Sequence, residues 1–410
     1  MSTSRVYDLV VLGASGYTGK LTAEYIAKNF PTDIRWALAG RSASKLEDVA
    51  AECKSIDADR SQPAIETCSL DSSELNALAK KTTILLTTIG PYSVHGEHAF
   101  KACADNGTHY LDITGEVVWH NEMIKKYERT AKANGSIMIP QIGLDSAPAD
   151  MVVWSIVELI REKFSAPTGE VILSAKFPAV PSGGTLSSVF SIFDVYSFKE
   201  LQDAGAPYAL SPIPGPAVRD PVPLKTKLFG FRSVRDLGML TTYFFARADI
   251  PQVHRSWGLL GGPSGYGPNF HFSEYAKSQN YLTAIASHFA LLFGSILVAI
   301  PFVRTILKKT VVQPGDGPSK EESRNHVVEY KAIGKPDVKS ENPARAWVKA
   351  TYAGSGYQLT AVIAASAALT LLRDEHKLEG GIHTPATLGQ NFLDRMEEGG
   401  FKFEKGIYEN

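Results

Sequence analysis

Short apolar runs alternate with amphipathic stretches through the first 150 residues of the chain. The runs are almost continuously apolar, which is typical of parallel strands that are covered on both faces. The stretches between them have helical periodicity, and Pro31, Gly107 and Gly135 stand where helices should end. We therefore predict an α/β fold with a doubly wound parallel sheet. The predicted strands are 7–12, 35–39, 64–68, 84–89, 110–113 and 137–139.

After Asp150 the sequence loses this regular alternation. The predicted helices there are 151–163, one that opens at 183–185, 358–372, and one from 384 to 399. The predicted strands are 170–180, 326–333 and 344–352, and a Pro-rich loop is predicted over 205–223. The predicted domains are a nucleotide-binding domain (1–146), a mixed α/β substrate or dimerisation domain (147–372) with a polar linker (311–324), and a C-terminal helical segment (373–410) that packs back on the first domain.

The composition is that of a globular protein. Its 410 residues exceed the length that a single hydrophobic core usually supports, so more than one domain is expected. A formal net charge of -1 lacks the basic excess of a nucleic-acid surface, so we exclude nucleic acid as a partner. Cys53, Cys68 and Cys103 form no CxxC pair and are expected to be reduced core thiols. His95 and His98 have no matching ligand cluster, so no metal site is predicted. The N-terminus has no signal-peptide pattern, and a cytoplasmic location is expected.

A glycine-rich turn lies directly after the first predicted strand, in the sequence GASGYTG that opens a helix. Glycines at such a turn let backbone N–H groups approach a pyrophosphate at the helix N-terminus. The strand before the turn and the helix after it favour a Rossmann-type dinucleotide site over a plain tight turn. The predicted cofactor-binding residues here are Gly13, Ser15, Gly16, Tyr17, Thr18 and Gly19.

The second predicted strand is followed by Arg41, where NAD-specific sites usually have an acidic residue for the ribose 2′-hydroxyl. Ser42 and Lys45 are near enough in sequence to share a 2′-phosphate with Arg41. Arginine binds phosphate oxygens bidentately, so the pattern predicts NADP. The alternative is an ordinary exposed helix start with solvated charges.

Three further segments should lie at the edge of the sheet where ligands bind, because they follow strands. Gly90 and Pro91 follow the fourth strand and are predicted to border the cofactor. Tyr92, Asp112 and Glu116 are the candidate proton donors, with water as a further source. Asp145 brings a third carboxylate to the same edge. The alternative is that each acid caps a helix or holds its own loop in place.

Several motifs together resemble the saccharopine dehydrogenase-like oxidoreductase family over nearly the whole chain. They are GASGYTG, AGRS, TTIGPYSVHGEHAFKACADNGTHYLDITGE, GLDSAPADM and GGIHTPATLG. The resemblance implies an NADP-binding Rossmann domain followed by a mixed α/β domain. Members of the family include bacterial trans-acting enoyl reductases of lipid and polyketide assembly, and animal relatives associated with membranes and lipid droplets. True saccharopine dehydrogenases act on an amino-acid imine, but this sequence has no clear arginine cluster for a dicarboxylic substrate.

We therefore expect an NADPH-dependent oxidoreductase that reduces an enoyl double bond of an apolar small-molecule or carrier-bound acyl substrate. The turn at 183–185 is a candidate for holding a carbonyl or phosphate of that substrate. One alternative is an enzyme acting on a C–N bond. Another is a non-catalytic NADP-binding protein at lipid droplets. A homodimer is a further possibility.

The segment 282–303 is strongly apolar, and 278–303 contains no Asp, Glu, Lys or Arg. As one helix, its 22 residues would be about 33 Å long, near the thickness of a bilayer's hydrocarbon core. A single span would separate parts of one domain, so we favour a helix on the cytoplasmic face of a membrane or lipid droplet. Burial in the core, a dimer interface and a true span are the alternatives.

Overall fold

The computed structural model describes residues 5–178, 181–216, 222–310, 319–323, 325–340 and 343–409. All six strands predicted in the first part are confirmed, each to within two residues. They are β1 (Tyr7–Leu12), β2 (Trp36–Gly40), β3 (Ala64–Thr67), β4 (Thr82–Thr87), β5 (His109–Asp112) and β6 (Ile137–Ile139). The helices between and after them are α1 (Tyr17–Asn29), α2 (Ala43–Ile56), α3 (Ser72–Lys80), α4 (Tyr92–His95), α5 (Glu97–Asn106) and α6 (Val117–Asn134).

The first sheet is parallel, with the strand order β6-β5-β4-β1-β2-β3. Residues of β1 alternate between two cores, since Leu9 and Val11 join one apolar cluster and Val10 and Leu12 join the other. Helices therefore cover both faces, and the doubly wound prediction is confirmed. The reversal of strand order at β1 and β4 places the β1 and β4 loops at the crevice where such sheets bind ligands.

The rest of the chain contains eight strands, eleven α-helices and one short 3-10 helix (Pro385–Leu388) in its described part. The strands are β7 (Thr168–Lys176), β8 (Phe231–Val234), β9 (Gly238–Thr241), β10 (His271–Lys277), β11 (Val327–Pro336), β12 (Arg345–Ala353), β13 (Gly381–Ile382) and β14 (Lys402–Tyr408). The helices are α7 (Ala147–Phe164), α8 (Gly183–Val195), α9 (Phe198–Ala204), α10 (Leu224–Phe229), α11 (Ala246–Leu259), α12 (Gly262–Gly265), α13 (Tyr281–Ala299), α14 (Pro301–Thr310), α15 (Lys320–Ser323), α16 (Gly356–Arg373) and α17 (Gly389–Glu398).

The second sheet is mixed, with the order β14-β12-β11-β7-β10-β9-β8. Its central strand β7 pairs in parallel with β10 and antiparallel with β11. Helices α7 and α11 pack against this sheet, and its inward side chains share one apolar cluster with the first sheet. The predicted α/β fold with a second, mixed α/β part is confirmed.

The C-terminal segment 373–410 was predicted to be helical, but the structure also contains two strands there. Its first strand, β13, extends the first sheet beside β6, while β14 forms the edge of the second sheet beside β12. Helix α16, which precedes this segment, already packs on α1 of the first sheet. Strand β14 is only partly buried and contains several charged residues. It therefore has no apolar pattern from which a strand could be predicted. The domain boundaries at 146 and 372 stay predictions.

Some predicted features lie partly outside the described residues. The strand predicted over 170–180 ends at Lys176, and residues 179–180 are not described. Residues 217–221 of the Pro-rich loop, and 311–318 and 324 of the polar linker, are also outside the described part.

The apolar segment 282–303 does not form one continuous helix, contrary to expectation. Helix α13 ends at Ala299 and α14 begins at Pro301, because proline has no N–H to continue the helical ladder. Only 6% of the most apolar window of α13 is buried. The alternative of a helix buried in the protein's own core is therefore wrong. By length and composition α13 qualifies as a membrane-crossing helix.

Candidate functional site

The glycine turn after β1 forms an open cradle. Gly13 has a φ of +89°, which L side chains rarely adopt, and its carbonyl accepts a hydrogen bond from the Gly16 N–H at 2.9 Å. A Cβ on Gly16 would have only that carbonyl oxygen nearby, at 3.3 Å, so the space in front of Gly16 is free of protein. A Cβ on Gly19 would overlap the Gly13 carbonyl oxygen, so this glycine serves close helix–strand packing.

Helix α1 begins at Tyr17 and has no side-chain cap at Gly16. The first N–H groups of an α-helix, such as those of Thr18 and Gly19, have no partner within the helix. They face the same opening as Gly16, where the helix dipole favours a negative charge. The exposed Ser15 lies between this turn and Gly40, since its hydroxyl is 3.9 Å from a Cβ placed on Gly40. The cradle therefore fits a dinucleotide pyrophosphate.

Arg41 and Lys45 are exposed at the start of α2, one strand away from the glycine turn. Ser42 caps this helix, because its hydroxyl accepts a 3.5 Å hydrogen bond from the Lys45 N–H. These groups present two cations and a hydroxyl at the position of a ribose 2′-phosphate.

We predict that Arg41→Ala weakens NADPH binding by ~1–3 kcal/mol, the scale of a charge-assisted hydrogen bond to phosphate. NADH lacks the 2′-phosphate, so its affinity should barely change. Calorimetric titration with both cofactors measures the difference. Lys28→Ala, which removes an exposed cation from the far end of α1, is the matched control. An equal loss for NADPH and NADH would contradict the assignment of Arg41.

The loop after β4 is tied to the glycine turn. The Thr88 hydroxyl lies within hydrogen-bond distance of the Leu12 and Gly13 carbonyl oxygens, at 3.3 and 3.2 Å. Gly90 lies under α8, since its Cβ would be 3.2 Å from the Ser188 hydroxyl. Gly90 therefore lies beside α8, in the loop that Thr88 joins to the glycine turn. That Gly90 and Pro91 border the cofactor stays a prediction.

Tyr92, a predicted proton donor, is buried and has its side chain committed to the protein. Its hydroxyl donates to the Thr87 carbonyl at 2.9 Å and accepts from the Ile113 N–H at 3.3 Å. Burial raises the pKa of Tyr92 well above its ordinary value. The buried Glu116 carboxylate accepts from the Tyr92 and Ser93 N–H groups, at 2.7 and 2.9 Å, and so caps α4.

Asp112 joins the ends of two neighbouring strands. Its Oδ1 accepts from the N–H groups of Thr114 and Gln141, at 3.0 and 2.9 Å, and holds Gln141 at a φ of 59°. Burial raises its pKa to about 7. The contacts of Tyr92, Asp112 and Glu116 match the alternative in which they hold their loops in place. Their catalytic role stays a prediction.

Asp145 is the carboxylate at this edge whose contacts leave it available. It is half-buried, and no hydrogen bond or ion pair joins it to another described residue. A Cβ on Gly115 would overlap its Oδ2, so the absence of a side chain at 115 makes room for the carboxyl. Burial alone raises its pKa to about 7. The motif GLDSAP signalled this residue, but the sequence did not distinguish it from the other two acids.

Acidic and phenolic groups on the second sheet and on the segments next to it interact electrostatically in the surroundings of Asp145. Sequence reasoning missed these groups. Asp249 on α11 accepts a 3.0 Å hydrogen bond from the Ser146 hydroxyl, next to Asp145. Burial, and repulsion from Glu274 on β10 and Asp145, raise its pKa well above the ordinary value. Burial also raises the pKa of Glu274. Burial, and repulsion from all three acids, raise the pKa of Tyr243 and of Tyr330 well above the ordinary value. The site therefore lies between the two sheets.

The turn that opens α8 already has protein partners. The Ser182 hydroxyl accepts from the Thr185 N–H at 3.2 Å, and the Tyr357 hydroxyl lies 2.9 Å from the Thr185 hydroxyl. The Tyr357 ring packs edge-on against Tyr17 of the glycine turn, 5.3 Å between centroids. This turn closes one side of the cradle, and its predicted role in binding substrate stays a prediction. Among the described residues no group of three His, Cys, Asp or Glu is suited to a metal.

Comparison with known proteins places this site in a family. A family model described as the saccharopine dehydrogenase NADP binding domain matches residues 9–139. A trans-acting enoyl reductase of Mycobacterium leprae is 30% identical to the chain over 433 aligned positions, covering 97% of each protein. The chain belongs to the saccharopine dehydrogenase-like oxidoreductases. It is thus an NADP-dependent oxidoreductase, and the resemblance seen in its motifs is confirmed.

Two further relatives of this saccharopine dehydrogenase-like oxidoreductase bear on its fold and location. A lipid droplet localized protein of Caenorhabditis elegans is 28% identical, with 93% of each chain covered. The structure of apo saccharopine dehydrogenase (L-Glu forming) from Saccharomyces cerevisiae is similar with a TM-score of 0.53. That comparison covers 98% of this chain and 100% of the yeast chain at 11% identity, so the likeness shows the fold alone.

Proposed function

We propose that the protein reduces an enoyl double bond of an apolar acyl substrate with NADPH, while docked on the surface of a membrane or lipid droplet. Bound NADPH supplies the hydride. The observation that carries the proposal is the NADP cradle at the carboxyl edge of the first sheet, where the half-buried Asp145 carboxyl has no hydrogen bond to a described residue. The enoyl reductase relatives support the choice of reaction.

The acids near the predicted substrate site favour an apolar substrate over a dicarboxylic one. Asp145 is half-buried, Asp249 and Glu274 are buried, and burial raises the pKa of all three, which favours their neutral forms. A substrate with carboxylates would face these acids without a compensating cation, which is costly in a partly buried site. A neutral thioester or ester carbonyl would not meet this repulsion, and a neutral carboxyl can donate a hydrogen bond to it.

A large exposed apolar surface supports docking on lipid. Helices α10, α13 and α14 lie side by side there. We call it the apolar patch, and its exposed members are Leu224, Leu228, Phe229, Tyr281, Leu282, Leu292, Phe293, Ile296, Leu297, Ile300, Phe302 and Ile306. Soluble monomers rarely expose apolar area on this scale. The exposed Lys225 and Lys309 accompany the patch, which suits an anionic lipid surface.

The second sheet disfavours a single membrane span through α13. Strand β10 precedes α13 in the chain and β11 follows α14, yet both pair with β7 in one sheet. A single crossing would place them on opposite sides of the membrane. Helix α13 is held to the protein instead, since the Thr241 hydroxyl donates to the Ala284 carbonyl at 2.7 Å and Thr242 pairs with His288. The lipid droplet localized relative supports a location at a lipid surface.

The substrate class can be tested by lipid and metabolite profiling of a strain that lacks the protein. We expect unsaturated acyl species to accumulate at the expense of their saturated counterparts, and NADPH assays on those species to show turnover. Accumulation of an imine and depletion of its amine would favour the C–N alternative instead. An unchanged lipid and metabolite profile would favour a non-catalytic NADP-binding protein.

A further inference from the structure

We propose that Asp145 is the proton donor of the reaction and that Gly115 is its positioning residue. This inference rests on the enoyl reduction proposed above. Asp145 follows β6 and Gly115 follows β5, so both lie at the carboxyl edge of the first sheet with the cofactor turns. The Asp145 carboxyl is half-buried and free of hydrogen bonds to described residues. Glu116 accepts backbone N–H groups with both oxygens, and Asp112 accepts two with Oδ1 and is fully buried, out of reach of water.

The chemistry of the step suits a neutral carboxyl in that place. The hydride adds to the β-carbon of the enoyl group, and the π electrons of the double bond move to the α-carbon and the carbonyl oxygen. Asp145 gives its proton to the α-carbon, so the CH=CH double bond becomes a CH₂–CH₂ single bond and NADPH is oxidised to NADP⁺. The resulting Asp145 carboxylate regains a proton from water, which reaches it because the residue is not fully buried.

The surroundings of Asp145 favour its neutral, protonated form. Asp249 on α11 is the acid that interacts electrostatically with Asp145, Glu274 on β10 interacts in turn with Asp249, and Tyr243 and Tyr330 are the nearby phenols. No cation is among these neighbours to stabilise the carboxylate. Burial accordingly raises the pKa of Asp145 to about 7, which is suited to an acid that works near neutral pH.

The first test needs no substrate. The nicotinamide of NADP⁺ is positively charged and that of NADPH is neutral, so an ionised Asp145 should strengthen the binding of NADP⁺ alone. Because its pKa is about 7, Asp145 is neutral below that pH and ionised above it. We expect the Kd of NADPH divided by that of NADP⁺ to rise about three- to tenfold between about pH 5.5 and about pH 8.5. Titration of the 2′-phosphate affects both cofactors equally and cancels.

Variants identify the group whose ionisation changes the ratio of the two dissociation constants with pH. In Asp145→Asn the ratio should stay flat with pH, and in Gly115→Ala its midpoint should move because the carboxyl is displaced. Asp150→Asn is the matched control, since burial also raises the pKa of Asp150 to about 7, but its Oδ2 accepts from the Ala386 N–H in the core. A flat ratio in the wild type, or a pH dependence that survives in Asp145→Asn, overturns the proposal.

The second test uses turnover of a trans-2-enoyl thioester of N-acetylcysteamine. Asp145→Asn should lower kcat about 100-fold or more with little change in KM, and Asp145→Glu should restore part of it. Asp150→Asn should retain the wild-type kcat. An unchanged kcat in Asp145→Asn overturns Asp145 as the donor. If the wild type turns over no enoyl substrate, the proposed function fails, and the cofactor titration alone decides whether Asp145 titrates beside the nicotinamide.

Discussion

Gly16→Val is expected to abolish NADPH binding while leaving a folded protein. The backbone of Gly16 is extended, with φ -78° and ψ 165°, a conformation that valine adopts readily. The nearest atom to its Cβ would be the Gly13 carbonyl oxygen, at 3.3 Å, a tight contact that a shift of a few tenths of an ångström relieves. The valine methyl groups would occupy the space in front of the α1 N–H groups that the pyrophosphate needs. Calorimetry should detect no NADPH binding, and thermal unfolding should be close to that of the wild type.

Gly19→Ala provides the contrast within the same turn. Its Cβ would overlap backbone atoms of Gly13, which cannot move without distorting β1. We expect this variant to lose stability, by ~1–3 kcal/mol, the usual cost of overpacking. If Gly16→Val bound NADPH with normal affinity, the cradle would not be the cofactor site. If it unfolded as Gly19→Ala is expected to, the assignment of Gly16 as an open position would be wrong.

Replacement of Leu292, Phe293 and Ile296 by Asp is expected to release the protein from lipid. These three side chains of the apolar patch are 43%, 59% and 50% exposed, so the fold should tolerate the change. Each apolar side chain of this size contributes ~1.5–3 kcal/mol when it leaves water. The triple variant should therefore bind anionic phospholipid vesicles more than about 100-fold less tightly. Vesicle flotation measures the bound fraction, and NADPH affinity should be unchanged.

A matched control places three Asp residues at Val6, Ile56 and Val338, which are 53%, 41% and 46% exposed away from the patch. This variant should bind vesicles like the wild type. Equal flotation of all three proteins would contradict docking through the apolar patch. A wild type that stays soluble as a dimer, and that the patch substitutions convert to a monomer, would assign the patch to a homodimer interface.

The sequence predicted those features that depend on hydrophobic periodicity and local turn chemistry. The strands of the first sheet are buried on both faces, so their apolar runs marked them clearly. The glycine turn and Arg41 were identified because their spacing from a strand limits what they contact. Strand β13 escaped prediction because two residues, Gly381–Ile382, have no periodicity.

The chemical roles of the acids depended on contacts that sequence spacing does not encode. Asp112, Glu116 and Asp145 all follow strands, and only the structure separates the two that accept backbone N–H groups from the one that does not. Asp249 and Glu274 reach the site from the second sheet, more than 100 residues after Asp145. These residues come together because the two sheets pack against a shared core, and no local sequence pattern predicts such a contact.

Transfer of deuterium from 4-deuterated NADPH to an enoyl thioester tests the central proposal most directly. The purified protein is incubated with phospholipid vesicles that contain a long-chain trans-2-enoyl thioester, and the product is analysed by mass spectrometry. We predict a saturated thioester that carries one deuterium at the β-carbon, formed together with an equal amount of NADP⁺. The presence of bound NADPH with no transfer of deuterium to any enoyl thioester would contradict the assignment of this protein as an enoyl reductase.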